Sequence, residues 1–211
     1  MNKYIDHTNL KADATCEDIA RLCREAIENR FYAVCVNSGR VQQAARLLQG
    51  YDVKIAMVVG FPLGAVSREV KVFETEFGCR SGADEIDMVM NIGKFKEGNL
   101  NEVKGEIKAV VDKAAEYGAI VKVILETCML TEEEIKTACF LAKEGGAAFV
   151  KTSTGFGSAG ATEGHISLMR SAVGTEMGVK ASGGIRDGKS AMAMIAAGAS
   201  RIGTSNSIDI V

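Results

Sequence analysis

Short apolar runs rich in Val, Ile and Ala recur along this chain at a nearly regular interval, with helical periodicity in the stretches between them. The runs fall near Lys3–Asp6, Ala33–Asn37, Lys54–Gly60, Glu85–Asn91, Ile120–Glu126, Ala148–Ser153, Gly178–Ser182 and Ser200–Gly203. Each reads as a strand. The intervening helices announce themselves by their starts and stops. Thr15 opens one whose apolar stripe is Ile19, Leu22, Cys23, Ala26 and Ile27. Leu100 to Tyr117 repeats the spacing through Val103, Ile107, Val110, Val111 and Ala114, and ends at Gly118. Thr131 and Glu134 form a capping box ahead of Ile135, Ala138 and Ala142, and Gly145-Gly146 stops that helix. Asp187 caps another that runs through Met192 and Ile195 to Gly198. Weaker helical patterns follow Ser38, Ser67 and Thr162.

Strand and helix alternating in this way, with no linker and Pro62 as the single proline, predict one α/β domain over residues 1–211, a (β/α)8 TIM barrel. After the last strand and its loop only Ser207–Val211 remain, so the final helix is expected to be short or incomplete. A doubly wound open sheet is the alternative; the strand count and the lack of a GxGxxG fingerprint favour the barrel.

Composition narrows the chemistry. The 25 basic and 27 acidic residues nearly cancel, and no basic run marks a nucleic-acid footprint. No apolar stretch approaches the ~20 residues of a membrane span, and MNKYIDHTNL lacks the apolar core of a secretion signal. The six cysteines form no CxxC pair and suit a reducing cytoplasm as small core residues; Cys35 reads as one of them. His7 and His165 stand outside any zinc-binding spacing and read as structural, so no metal site is expected.

The polar residues inside the strands are the anomaly. Lysine is rarely buried without a partner, yet Lys151 sits in FVKTSTGF among apolar neighbours and Lys180 in GVKAS. Lys151 could instead snorkel to solvent from a strand end. One βα unit separates the two, which places them on neighbouring strands about 4.8 Å apart. Their repulsion at ~4 Å and an effective dielectric of ~20 is about 4 kcal/mol. An unperturbed lysine is neutral only about once in 2,500 molecules at pH 7; a thousandfold shift leaves roughly a quarter neutral and nucleophilic. The lysine pair therefore points to imine chemistry. Lys180 alone reads equally as a phosphate ligand or as the charge that tunes Lys151. Asp87, in DEIDMVMN, is a candidate base or a structural acceptor, and Asp6 a counter-ion for Lys180. Asp84 and Glu85 read as structural. Gly155-Phe156-Gly157, Gly183-Gly184 and Gly203-Thr204-Ser205 follow the last three strands, where barrels often bind phosphate through backbone N–H groups.

YIDHTNLK, AVCVNSGRV, VVGFPLGA, ADEIDMVMNIG, FVKTSTGF, VKASGGIR and RIGTS stand in order along nearly the whole chain. Together they resemble the deoxyribose-phosphate aldolase family of class I, Schiff-base aldolases. The resemblance implies reversible cleavage of 2-deoxy-D-ribose 5-phosphate to glyceraldehyde 3-phosphate and acetaldehyde. It implies a cytoplasmic enzyme, commonly a homodimer, that needs no metal or other cofactor. By the same resemblance Lys151 is the Schiff-base lysine, Lys180 its perturbing neighbour, Asp87 the proton-relay aspartate and Asp6 the residue that orients Lys180. Gly155, Gly183, Gly184 and Ser205 would hold the phosphate. Asn206 stands where family members commonly have serine, and no tyrosine-bearing tail follows Val211. Proton transfer is therefore expected to rest on Asp87 and water. A barrel isomerase or synthase using Asp87 without an imine, and a non-catalytic sugar-phosphate sensor, are the other classes considered.

Overall fold

In the computed structural model, which describes residues 1–211, β1 (Ile5–Asn9) pairs in parallel with both β2 (Ala33–Val36) and β8 (Arg201–Thr204), so the sheet has no edge. The strands between are β3 (Lys54–Val59), β4 (Glu85–Val89), β5 (Ile120–Ile124), β6 (Phe149–Lys151) and β7 (Gly178–Ser182), each parallel to its sequence neighbour. The helices are α1 (Cys16–Glu28), α2 (Val41–Leu47), α3 (Arg68–Arg80), α4 (Ile92–Lys96), α5 (Leu100–Ala115), α6 (Glu132–Glu144), α7 (Glu163–Val173), α8 (Gly188–Ala196) and α9 (Ser207–Ile210). This is the (β/α)8 barrel that the periodicity predicts, and its closure rules out the open doubly wound sheet. The four residues of α9 match the expected short final helix. No helix is long and apolar enough to cross a membrane.

Alternation along each strand divides the barrel into two unlike environments. Outward-facing Ile55, Met57, Ile86, Met88, Val121, Val123, Val150, Val179 and Ile202 join the helices in one core of 49 buried residues. Burying each large aliphatic contributes about 1.5–3 kcal/mol. Inward-facing positions are polar on β4 to β8 and β1, and small or aliphatic on β2 and β3, where Cys35, Ala56 and Val58 cluster. The helices dock by the faces read from sequence: Ile19, Leu22, Cys23 and Ala26 of α1 are buried, as are Ile135, Ala138 and Ala142 of α6. Thr15, Thr131 and Asp187 each close a capping box.

Boundaries differ from expectation in a consistent direction. Five strands, β2 to β6, end one or two residues earlier than their apolar runs, because the chain must turn outward at the rim; β6 stops at Lys151 although the run reaches Ser153. At the N-terminus the opposite holds. Residues Asn2–Tyr4 form a 3-10 turn, and β1 continues through His7, Thr8 and Asn9, whose partners on β2 are Val34, Cys35 and Val36. Helix α4, absent from the periodicity, is a single capped turn in which the Asn91 side chain accepts from Lys94 N.

One fully buried lysine–carboxylate pair lies outside the barrel. Lys71 of α3, fully buried, donates to Val89 O at 2.8 Å and to Glu106 Oε1 of α5 at 2.5 Å. Burial holds the lysine pKa below its usual value and raises that of the carboxyl, each opposed by its partner. The pair fastens two helices to the end of the strand that carries Asp87. Glu106→Leu leaves an unpaired buried ammonium and should cost about 3–5 kcal/mol in urea unfolding. Lys71→Met combined with Glu106→Leu should cost much less than that single change, since no charge is left orphaned.

Candidate active site

Inside the barrel, β1, β4, β5, β6, β7 and β8 aim ionisable side chains at one another. Asp87 accepts from Lys122 Nζ through Oδ1 at 2.7 Å, and through Oδ2 from Lys151 at 2.9 Å and Lys180 at 2.8 Å. Asp6 accepts from Arg201 at 2.9 Å through Oδ1, and through Oδ2 from Lys180 and from Lys122 at 3.4 Å. Glu85 holds Lys122 at 2.6 Å and Arg201 at 3.0 Å. Asp6, Asp87, Lys122 and Lys180 are fully buried, and Lys151 is 3% exposed, so it does not snorkel.

Three carboxylates thus face four cations. Lys122 touches Asp6, Glu85 and Asp87; Lys180 touches Asp6 and Asp87; Arg201 touches Asp6 and Glu85. Lys151 alone has a single carboxylate, and it shares that oxygen with Lys180. In a low-dielectric interior the set balances when one cation gives up its proton, and the least compensated is Lys151. The pKa directions agree. Burial lowers Lys151, Asp87 opposes, and the Lys180 charge lowers it further. Burial also works against Lys180 and Lys122, but their carboxylates raise both above the ordinary lysine value. Burial pushes Asp87 up, yet Lys122, Lys151 and Lys180 together hold it well below the carboxylate range. Asp6 is likewise lowered, by Lys180, Lys122 and Arg201 against burial. The repulsion between Lys151 and Lys180 is present, but burial is the larger cause and the shared carboxylate softens both.

Register explains how the pair meets: Lys151 and Lys180 are direct partners across β6 and β7. Gly203 of β8 lets Lys180 cross to Asp6, because a Cβ there would lie 2.8 Å from Lys180 Cε. At the N-terminal end Arg201 sits 3.6 Å over the Tyr32 ring and 5.2 Å from the Phe149 ring, closing the barrel. Cys35 lies in the interior with its thiol pKa raised by burial, as a core residue should. Glu85, read as structural, is buried as the link between Lys122 and Arg201, and Asp84 accepts from Ile55 N at 2.8 Å. No group of three or more His, Cys, Asp or Glu side chains is arranged to hold a metal ion.

A cavity of about 760 Å³ opens at the C-terminal ends of the strands, with Lys151 in its lining. Gly155, Gly183, Gly184 and Ser205 all line it, together with Arg186 and Asn206. Gly155, Gly183 and Gly184 have φ of +86°, +83° and +80°, conformations that favour glycine. The structure therefore brings the eight candidate residues into two layers, the ionic set below and the glycine loops above. Sequence reasoning missed Lys122, Arg201 and Glu126. Lys122 in IVKVI shows the same lysine-in-a-strand anomaly as Lys151, so its signal was present. Glu126 has no such signal: it takes φ +57°, is 4% exposed, and accepts from Thr154 Oγ1 to brace the loop that carries Gly155.

The family model for DeoC/LacD family aldolases matches residues 1–206. The deoxyribose-phosphate aldolase of Aciduliprofundum boonei is 61% identical over 211 residues, covering 100% of this chain and 95% of that one. That of Alkaliphilus oremlandii is 62% identical over 209 residues, covering 99% and 94%. Among solved structures, the tetrameric deoxyribose phosphate aldolase from Aeropyrum pernix has a TM-score of 0.93 at 35% identity, covering 99% of this chain and 88% of that one.

The electrostatics predict how Lys151 responds to its neighbour. Lys180→Leu removes a charge that lowers the Lys151 pKa, so that pKa should rise toward the ordinary lysine value. Amine labelling of Lys151 at pH 7, followed by peptide mapping, should slow by at least about tenfold and recover as pH increases. A labelling profile that superimposes on wild type would show that Lys180 does not tune Lys151.

Proposed function

The chain belongs to the DeoC/LacD family of aldolases, and from that premise we propose that it reversibly cleaves 2-deoxy-D-ribose 5-phosphate to D-glyceraldehyde 3-phosphate and acetaldehyde through a Schiff base on Lys151. The observation that carries this reading is the position of Lys151. Of the four cations inside the barrel it alone has one ionic partner, and it lines the cavity that the glycine loops surround.

On this reading the neutral Lys151 amine attacks the aldehyde carbon of the open-chain sugar, and loss of water leaves an iminium. The iminium draws the electron pair as the bond between the second and third carbons breaks. Asp87 takes the proton of the third-carbon hydroxyl through a water. Lys180, protonated and hydrogen-bonded to Asp87 and Asp6, keeps Lys151 discharged and orders that proton path. Glyceraldehyde 3-phosphate leaves, the enamine takes a proton, and hydrolysis frees acetaldehyde. Gly155, Gly183, Gly184 and Ser205 would hold the phosphate by backbone N–H groups and a hydroxyl, with Arg186 nearby for its charge. No cofactor enters these steps.

The proposal includes a cytoplasmic site of action and a homodimer. Self-association is supported by an exposed apolar stripe on α3, where Val70, Phe73 and Phe77 are 48%, 71% and 50% exposed. Sedimentation velocity reads the state directly.

Borohydride reduction in the presence of acetaldehyde should fix one ethyl group on the protein, and peptide mapping should place it on Lys151. A label on another residue, or none, would sink the Schiff-base reading and leave an isomerase or a sensor. The phosphate site makes a separate claim. Binding energy from the phosphate aids both capture and orientation, so 2-deoxyribose should react with kcat/KM lower by about 10²-fold or more than its 5-phosphate. Equal values for the two sugars would remove the phosphate from the glycine loops.

A further inference from the structure

His7 follows Asp6 on β1 and so faces the other way, out of the ionic chamber and toward the helices. That side of the barrel is otherwise packed with apolar side chains. The buried ring lies tilted against Phe31, with ring centroids 5.4 Å apart. Both nitrogens are in use: Nε2 lies 2.8 Å from Glu25 Oε2 of α1, and Nδ1 lies 2.8 Å from Ser207 Oγ of α9. Burial lowers the imidazole pKa, against the hydrogen bond and charge of Glu25, so the ring is neutral at pH 7. A carboxylate only accepts, so the ring proton sits on Nε2 and Nδ1 accepts from the Ser207 hydroxyl.

The hydroxyl at the end of this relay lies beneath the glycine loops. Ser207 is fully buried and begins α9, and the two residues before it, Ser205 and Asn206, line the cavity. Its Oγ is also 3.3 Å from Thr204 O, so it spans the turn that carries them. Thr204 Oγ1 accepts from Asn206 N at 3.0 Å and donates to Ile185 O at 2.7 Å, next to Gly184. Hydrogen bonds thus run from α1 through His7 and Ser207 to the loops after β8 and β7. Helix α9 supplies little hold of its own. It has four residues, far below the ~12–15 that sustain a helix alone, and of these only Ser207 and Ile210 are buried. Ile210 docks by apolar contact, which is non-directional, whereas the bond to His7 fixes an angle as well as a distance. An aliphatic side chain in place of His7 would serve stability about as well, since a buried, satisfied polar group gains little net. What the imidazole adds is a set position for the Ser207 hydroxyl.

We propose that His7, held by Glu25, is a positioning residue for the phosphate end of the substrate. Through Ser207 it sets the Thr204–Ser207 turn against the Gly183-Gly184 loop, so that both meet one phosphate group. The ring reaches the cavity lining, but both of its nitrogens are committed to protein partners, so it acts through Ser207. The assignment rests on the aldolase reading above and on the phosphate site included in it. A misplaced turn weakens capture of the phosphorylated sugar and leaves Lys151, on the inner face of the barrel, as it was.

Ser207→Ala and His7→Leu remove the same bond from its two ends. In each, kcat/KM for 2-deoxyribose 5-phosphate should fall about tenfold, mainly through KM. The value for 2-deoxyribose, which has no phosphate to place, should change much less. Because one bond is broken in both, the double variant should lose no more than the larger single loss. His7→Asn, whose Oδ1 reaches about as far as Nδ1 and can accept from Ser207, should recover much of the KM. A loss shared equally by the two sugars assigns the trio to the scaffold and overturns the proposal. An unchanged KM in Ser207→Ala overturns it as well, and that variant decides alone if His7→Leu does not fold. A wild-type enzyme that treats both sugars alike takes down the phosphate site and this assignment together. Failure of the aldolase reading shows separately, as a wild type that traps no acetaldehyde on Lys151 under borohydride.

Discussion

Everything in the site depends on a buried imbalance of charge: three carboxylates held against four basic side chains in a barrel interior closed to water. Taking an ion out of water costs several kcal/mol, and only close partners with satisfied hydrogen bonds offset it. The two oxygens of Asp87 and the two of Asp6 are all in use, so no carboxylate capacity is left for a fourth cation. The lowered pKa of Lys151 is therefore a collective property. It comes from the strands that fill the other acceptors, more than from any one neighbour.

Such an interior is expensive, and its stability comes from elsewhere. The strands that carry the ionic set on one face carry Val, Ile or Met on the other, so the helices can be packed tightly without reference to the chemistry. Gly203 shows the reverse dependence, a small residue that leaves space for Lys180 of the neighbouring strand β7. The capped helices and the Lys71–Glu106 pair fix the strand ends from outside. The outer layer thus resists the strain of the inner one.

Much of this was legible in the sequence, and the limit is physical. Periodicity exposes the eight strands because burial on one or both faces imposes a local pattern. The capping boxes at Thr15, Thr131 and Asp187 are local too. Lys151, Lys180, Asp87 and Asp6 stand out because each is a charge where an apolar residue is expected. Lys122 broke the same rule but fell inside a run so rich in Ile and Val that it read as strand alone. Its partners Glu85 and Asp87 lie on the neighbouring strand β4, while Asp6 meets it across the barrel from 116 positions away in the chain. Arg201 was read as the edge of a run; only closure of β8 on β1 carries it to Asp6. Glu126 could not be read at all, because a left-handed backbone at a non-glycine residue leaves no mark in composition.

The seal at the foot of the barrel has a consequence for traffic. Arg201 lies against Tyr32 and Phe149, and beneath Lys151 the residues are fully buried, so the chamber is a cul-de-sac with a single mouth. On the proposed chemistry the two fragments cannot leave by opposite doors. The two-carbon piece is tethered at the dead end while the phosphorylated piece occupies the vestibule. Departure is then queued: the outer guest must clear the passage before water can reach the inner one. Run in reverse, the same corridor enforces the order of arrival, with the small aldehyde admitted and bound before the larger one follows it in.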